Sequence, residues 1–229
     1  VTNTDGSARL QGYGVDANGK IRNGVLTDLR IDTSNLAPKT TTTVSSTINL
    51  NSTEPVIDPT LTFDPAKSAT FTKQFSTPIF DSQGNQHVMD QYMVKTGANE
   101  WDVYTLIDGR NPADGSDPAA PAIPDIPGPP FIAGTPATPA IPSTMNFDAS
   151  GKLLSVSTPV PPTVPPTVPA PSPVISSDLK IMDWKPGTVT NDVWKANGAA
   201  ANPDGLTISM GNTTQFNADT ARSIPAQDG

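Results

Sequence analysis

The sequence predicts an all-β protein, and three observations carry that prediction. Residues 75–109 alternate with a period of two across three segments parted by two short turns, the signature of strands. Helix signals are almost absent, since the one Ala-rich stretch, Ala196–Ala201, is interrupted by Gly198 and followed by Pro203. The composition is that of a loop-rich β protein: 26 of the 229 residues are proline and only 16% are charged.

The three central segments are expected as an antiparallel meander, because turns this short cannot join parallel neighbours. The first runs from Phe75 to Asp81. Ser82-Gln83-Gly84-Asn85 turns the chain, and Gln86 to Lys95 follows. On this second strand Val88, Asp90, Tyr92 and Val94 share one face, and His87, Met89, Gln91 and Met93 the other. Neither face is cleanly polar, so both are expected to be partly covered. After the turn at 96–99, Trp101, Val103, Thr105 and Ile107 line one face of the third strand, and Asp102, Tyr104 and Leu106 the other.

Before the meander, Leu10–Val15 and Lys20–Val25 read as strands joined at Asp16-Ala17-Asn18-Gly19, with a further alternating segment over Leu26–Ile31. The spacing Asp-x-x-Gly recurs at Asp81–Gly84 and Asp148–Gly151. In each case Asp can bond the turn backbone and Gly can take the left-handed position, so we read three uses of one turn solution. Thr40 to Asn51 is β-branched and polar, and reads as an extended connector or edge strand. Prolines 55, 59 and 65 make the next stretch a loop. Two tracts, 112–142 and 159–173, hold 18 of the 26 prolines. They favour polyproline II and cannot supply ladder donors, so they read as long Pro-rich loops. Between them Thr144–Phe147 and Lys152–Ser157 form a hairpin. Leu179–Trp184 and Leu206–Met210 are the last expected strands. Residues 185–205 are read as loop with Trp194 as an anchor, and 212–229 as polar chain.

Composition removes several classes of function. The net charge of −8, with 14 scattered basic residues, does not provide a nucleic-acid surface. No apolar run approaches the length of a membrane span, and no signal peptide is present. There is no cysteine, hence no disulfide, thiolate metal site or cysteine nucleophile. Val1 is not an initiator Met, so the chain is expected to be processed or truncated.

Candidate chemistry is thin. His87 is the single histidine, so a Ser-His-Asp arrangement would need it, with Asp81 or Asp90 orienting it. No Gly-x-Ser-x-Gly elbow accompanies it, and we read it as a strand side chain beside a turn. Asp108, Asn111, Asp114 and Asp117 form an oxygen-rich loop of the kind calcium uses, but the spacing fails the EF-hand pattern and a solvated turn is the reading we adopt. Asp90 and Asp102 are read as surface carboxylates rather than a glycosidase pair. Tyr92, Trp101 and Tyr104 are read as core rather than a sugar-stacking face. The expectation is therefore no catalytic, cofactor-binding or metal-binding residue, and no enzyme.

Several stretches occur in an order with a family resemblance: LQGYGVDANGKI at 10–21, TTTT to INLNST at 40–53, FDSQGN at 80–85, YMVKTGANEWDVYT at 92–105 and NTTQF at 212–216. The sequence resembles the bacterial flagellar hook protein family. The FDSQGN to NEWDVYT block is the most specific part, and the proline tracts lie outside the resemblance. What it implies is an antiparallel β-sandwich or barrel domain inserted into a second, partial β domain: residues 1–47 as the first half of a middle domain, 48–217 as the outer domain, and 218–229 as the return. It also implies a structural subunit, exported without a cleaved signal peptide, that polymerises into a curved extracellular tube transmitting motor torque. Its implied partners are copies of itself and the hook cap and hook–filament junction proteins, with no nucleic acid or membrane. The heptad-bearing termini of the family are missing, so this fragment is expected to be monomeric. Leu36–Leu50 and Asn217–Pro225 are the expected hinges. A second reading is a secreted carbohydrate-binding or adhesive β-sandwich with a Pro-Thr linker.

Overall fold

In the computed structural model, residues 2, 4, 6–16, 20–28, 37–118, 140–159, 172–182, 184–190, 193–202 and 204–228 are described. The chain divides into two units, Val1–Ala37 and Pro38–Gly229. The boundary expected at 47/48 falls inside a strand of the second unit. Among the described residues the sole helical turn is a 3-10 turn at Ser68–Thr70.

Unit 1 is a two-stranded antiparallel hairpin of β1 (Gln11–Val15) and β2 (Ile21–Asp28), with Tyr13 opposite Leu26. Sequence reading split β2 in two; it is one continuous strand as far as Asp28, and Leu29–Ile31 lie outside the described residues. Asp28 accepts hydrogen bonds from Arg9 at 2.9 Å and Gln11 at 3.2 Å. The apolar side chains of Leu10, Tyr13, Ile21 and Leu26 are exposed.

Unit 2 is a sandwich of two sheets. One holds β4 (Lys73–Phe80), β5 (Gln86–Gly97), β6 (Glu100–Ile107), β7 (Ser143–Phe147), β8 (Leu153–Thr158) and β9 (Val174–Ser176), each antiparallel to the next. The meander and the 144–157 hairpin stand as the sequence predicts, and β9 adds an edge. The other sheet is built on β3 (Thr43–Asn51), with β10 (Asp178–Ile181), β13 (Leu206–Ser209), β14 (Thr214–Phe216) and β15 (Ala221–Gln227). β13 and β14 run parallel to β3, and β15 antiparallel. A separate hairpin joins β11 (Gly187–Thr190) to β12 (Val193–Ala196).

β3 is thus an inner strand, not the connector or edge strand expected. Its partners come from the far end of the sequence, and local polarity conceals them. Val44, Ser46, Ile48 and Leu50 form its buried face, one residue in two. Val44, Ile48 and Leu50 share one core with Ile79, Met89, Met93, Trp101, Val103, Met145 and Val156 of the facing sheet. A fully buried side chain of this size contributes about 1.5–3 kcal/mol. The segments expected as hinges are largely built into this sheet, since 43–50 and 221–225 lie in paired strands.

The outer face of β5 and β6 is covered as well. Tyr92 and Leu106 pack with Phe63 from the 52–72 loop, backed by Phe71 and Tyr104. Phe63 stacks on Tyr104 with ring centroids 4.0 Å apart. Lys95, buried at the end of β5, donates to the carbonyls of Ser52 at 2.5 Å and Glu54 at 2.7 Å, anchoring that loop.

The repeated turn is one solution at the level of hydrogen bonds. Asp16, Asp81 and Asp148 each donate their amide to the carbonyl four residues on, at 2.9–3.0 Å. Each also accepts the amide of that same residue on its carboxylate, at 2.9–3.0 Å. Gly84 and Gly151 take φ of 83° and 79°, the left-handed region glycine favours. Residues 17–19 of the first turn lie outside the described set, as does most of each proline tract.

Candidate functional site

The densest polar cluster lies where the β4–β5 turn meets the end of β6. His87, the second residue of β5, points inward and is buried with Asp81. Its Nδ1 lies 2.6 Å from Asp108 and its Nε2 3.3 Å from Asp81. The Trp184 ring stands edge-on to the imidazole at 5.3 Å. Asp81 also accepts from Asn85 at 2.9 Å and from Asn197 at 2.7 Å. Asp108, at φ 52°, holds the Val88 amide at 2.8 Å. The cluster ties the turn, the end of β6 and the chain after β12 into one knot.

Its electrostatics follow from this geometry. The Asp108 carboxylate raises the His87 pKa above the usual histidine value, against burial, with Asp81 adding to the rise. Burial pushes Asp81 up, but the hydrogen bonds from Asn85, Asn197 and His87 outweigh it and hold the carboxyl far below the ordinary range. A general base needs one ring nitrogen free to take a proton from a nucleophile. Both nitrogens of His87 face carboxylates.

Sequence reading offered Asp81 and Asp90 as partners for His87. Asp81 is one. Asp90 is not: it accepts from Ser76 and Gln74 on the neighbouring strand instead. Asp108 was missed as a partner, and strand register alone does not reveal it. The hairpin pairs Met89 with Ile107, so continued register puts Asp108 opposite Val88, on the other face from His87; the left-handed φ of 52° at Asp108 is what accompanies its carboxylate reaching the imidazole instead.

The remaining candidate groups do not converge. In the oxygen-rich loop Asp108 faces His87, Asn111 donates to Ser116 at 2.7 Å, Asp114 accepts the Ser116 amide at 2.9 Å, and Asp117 lies 3.5 Å from Arg110. Asp90 lies opposite Leu106, four residues along β6 from Asp102. At a strand rise near 3.4 Å that separates the two by about 14 Å, beyond the spans glycosidase carboxylates use. Asp102 instead accepts from Thr144 at 2.7 Å, and burial raises its pKa. Trp101 is 0% exposed, so it cannot stack on a sugar. Its Nε1 donates to Gln215 at 2.6 Å, and Gln215 donates on to the Ala98 carbonyl at 2.9 Å, fastening β14 to the β5–β6 turn.

The site thus consists of fasteners between strands. The profile of the family described as flagellar basal body protein FlaE D2 domain matches residues 49–229. The chain belongs to this family. Among curated relatives, the flagellar hook protein FlgE of Escherichia coli (strain K12) is 49% identical over 80 residues. FlgE of Salmonella typhimurium and FlgE of Salmonella typhi are each 47% identical over 78 residues. These matches cover 34% of this chain and 19% of each relative.

Proposed function

We propose that this chain is the β-domain part of a flagellar hook subunit, a structural protein that does no chemistry of its own. The observation that carries the reading is the family match over residues 49–229, supported by the 49% identity to a flagellar hook protein. The architecture suits the role. Unit 2 is a sandwich whose core is continuous between the sheets and whose loops are fastened by buried polar groups, so it can act as a rigid block. In the assembled tube such blocks pack against neighbouring copies through modest polar interfaces, which can break and reform as the tube rotates, whereas large apolar ones would lock.

On this reading the outer domain, expected over 48–217, also takes in the flanking strands β3 and β15, so that its block is unit 2. Unit 1 contributes to the middle domain. The full-length subunit is exported without a cleaved signal peptide, assembles with copies of itself, and meets the hook cap and hook–filament junction proteins. The test is immunogold labelling of intact cells of the source organism with antibodies raised against this chain. Gold confined to the short curved segment between cell envelope and filament supports the reading. Gold on the envelope or along the filament, with a bare hook, refutes it.

A further inference from the structure

The incoming and outgoing chain of unit 2 lie side by side. β3 begins at Thr43 and β15 ends at Gln227, and Gln227 stands opposite Val44. Asp228, the next residue, donates its amide to the Thr43 carbonyl at 3.2 Å. Its carboxylate then gathers donors from the incoming segment: the Thr42 amide at 2.9 Å, the Thr43 amide at 2.6 Å, the Thr42 hydroxyl, and the Lys39 ammonium at 3.3 Å. One side chain at the end of the outgoing strand thus holds four donors from three residues of the incoming segment.

Position gives this cluster its consequence. Two antiparallel strands pulled from the same end open one hydrogen bond after another, because the tension falls on the terminal bonds first. The terminal bonds here are those of Asp228. Hydrogen bonds to an ionised group are about twice as strong as neutral ones. Burial pushes the Asp228 carboxyl up, but the bonds from Thr42, Thr43 and Lys39 outweigh it and hold the pKa at about 2. The charge is therefore present throughout the neutral and mildly acidic range. Behind this first tie comes a second, in which Arg222 donates to the Ser76 carbonyl at 2.6 Å and Gln227 to that of Pro78 at 3.2 Å. Those two bonds cross from β15 to β4, so opening beyond the end of the ladder must also part the two sheets.

We propose that Asp228 is a clasp at the neck of unit 2, closing the β3–β15 pair against unzipping when the chain is pulled from both sides. The inference rests on the hook reading only for the source of the pull; the clasp is a property of this chain.

The chain has no cysteine, so Ala37→Cys and Gly229→Cys provide two unique attachment points for handles in an optical trap. The whole chain is pulled through them. Because the Asp228 side chain is 32% exposed, Asp228→Ala is expected to raise the opening rate at fixed force about tenfold. Thr42→Val, which removes one donor at nearly constant volume, is expected to raise it a few-fold. Hydrogen exchange supplies a second readout: in Asp228→Ala the Thr43 amide loses protection while those of Ile48 and Leu50 keep it. Opening rates within twofold of the parent for both variants, or unchanged exchange at Thr43, overturn the clasp. If native hooks lack this chain while the variants open faster, the hook reading fails and the clasp stands.

Discussion

The pairing of Trp101 with Gln215 offers the sharpest quantitative prediction, because one substitution separates packing from hydrogen bonding. Trp101 is fully buried in the core between the sheets, and its Nε1–H is held by the Gln215 side chain at 2.6 Å. Gln215 lies in β14, 114 residues away in the chain. Trp101→Ala removes both contributions and should cost about 3–5 kcal/mol, the range for emptying a buried aromatic site. Trp101→Phe keeps most of the apolar contact and removes the donor. The buried Gln215 Oε1 is then left without that partner, at a cost of about 1–3 kcal/mol. Removing Gln215 as well should recover part of that loss. In a double-mutant cycle of Trp101→Phe with Gln215→Leu, the single costs should therefore exceed that of the double by about 1 kcal/mol. The assay is urea unfolding followed by far-UV circular dichroism, since replacing Trp101 changes the fluorescence itself. If Trp101→Phe costs less than about 0.3 kcal/mol, or the two substitutions are additive, the bond contributes nothing and the fastening of β14 is packing alone.

Three further predictions follow from the same structure. The single histidine gives an unambiguous NMR titration: His87 should titrate above the reference value of about 6.5. Its stabilising contribution is then full below about 6.5 and lost as pH rises through the folded value, so unfolding midpoints should fall on the alkaline side and His87→Gln should flatten that slope. A titration at or below about 6.5 contradicts the two-carboxylate geometry. Gly151 and Gly109 both have φ near 75°, but a Cβ at Gly151 would stand 2.3 Å from the Gln215 carbonyl whereas Gly109 faces open space. Thermal melts should show Gly109→Ala losing about 1 kcal/mol and Gly151→Ala distinctly more; equal losses would mean that the close approach to Gln215 is absent. A Cβ at Gly187 would lie 2.4 Å from the Trp194 ring, so Gly187→Ala should displace that ring and shift Trp194 fluorescence in a chain whose other tryptophans are Phe. An unshifted spectrum would show that the ring has room.

The sequence revealed what is local. The meander, its faces and the 144–157 hairpin could be read because a period of two and a short turn lie within a few residues of one another. The Asp-x-x-Gly turns were legible as Asp bonding the turn backbone with Gly left-handed, since the bonded groups lie four residues apart. The second sheet was legible only in part: the strands read at Leu179–Trp184 and Leu206–Met210 stand as β10 and β13, but their assembly on β3 was not visible. β3 carries Ser45, Ser46 and Thr47 among its apolar residues, and only the arrival of β13, β14 and β15 from residues 206–227 makes it an inner strand. β14 is three residues long and its buried member is Gln215, which no apolar pattern reports. β11 and β12 were read as loop because the 185–205 stretch is rich in Gly, Asn and Ala, yet Gly187 is what lets Trp194 pack against the backbone. The His87 cluster was half legible: Asp81 is a neighbour in sequence, while Asp108 reaches the imidazole only through its left-handed backbone just past β6, which no strand pattern reports.

The most direct test of the central claim is an electron cryomicroscopy map of native hooks from the source organism at side-chain resolution. If hooks are built from this chain, the sandwich of β3 to β15 fits the outer part of the tube wall as one rigid block, with Pro38 and Asp228 together on the side facing the tube axis. A wall whose density cannot hold this sandwich, or holds it with those two residues at the outer surface, would contradict that claim.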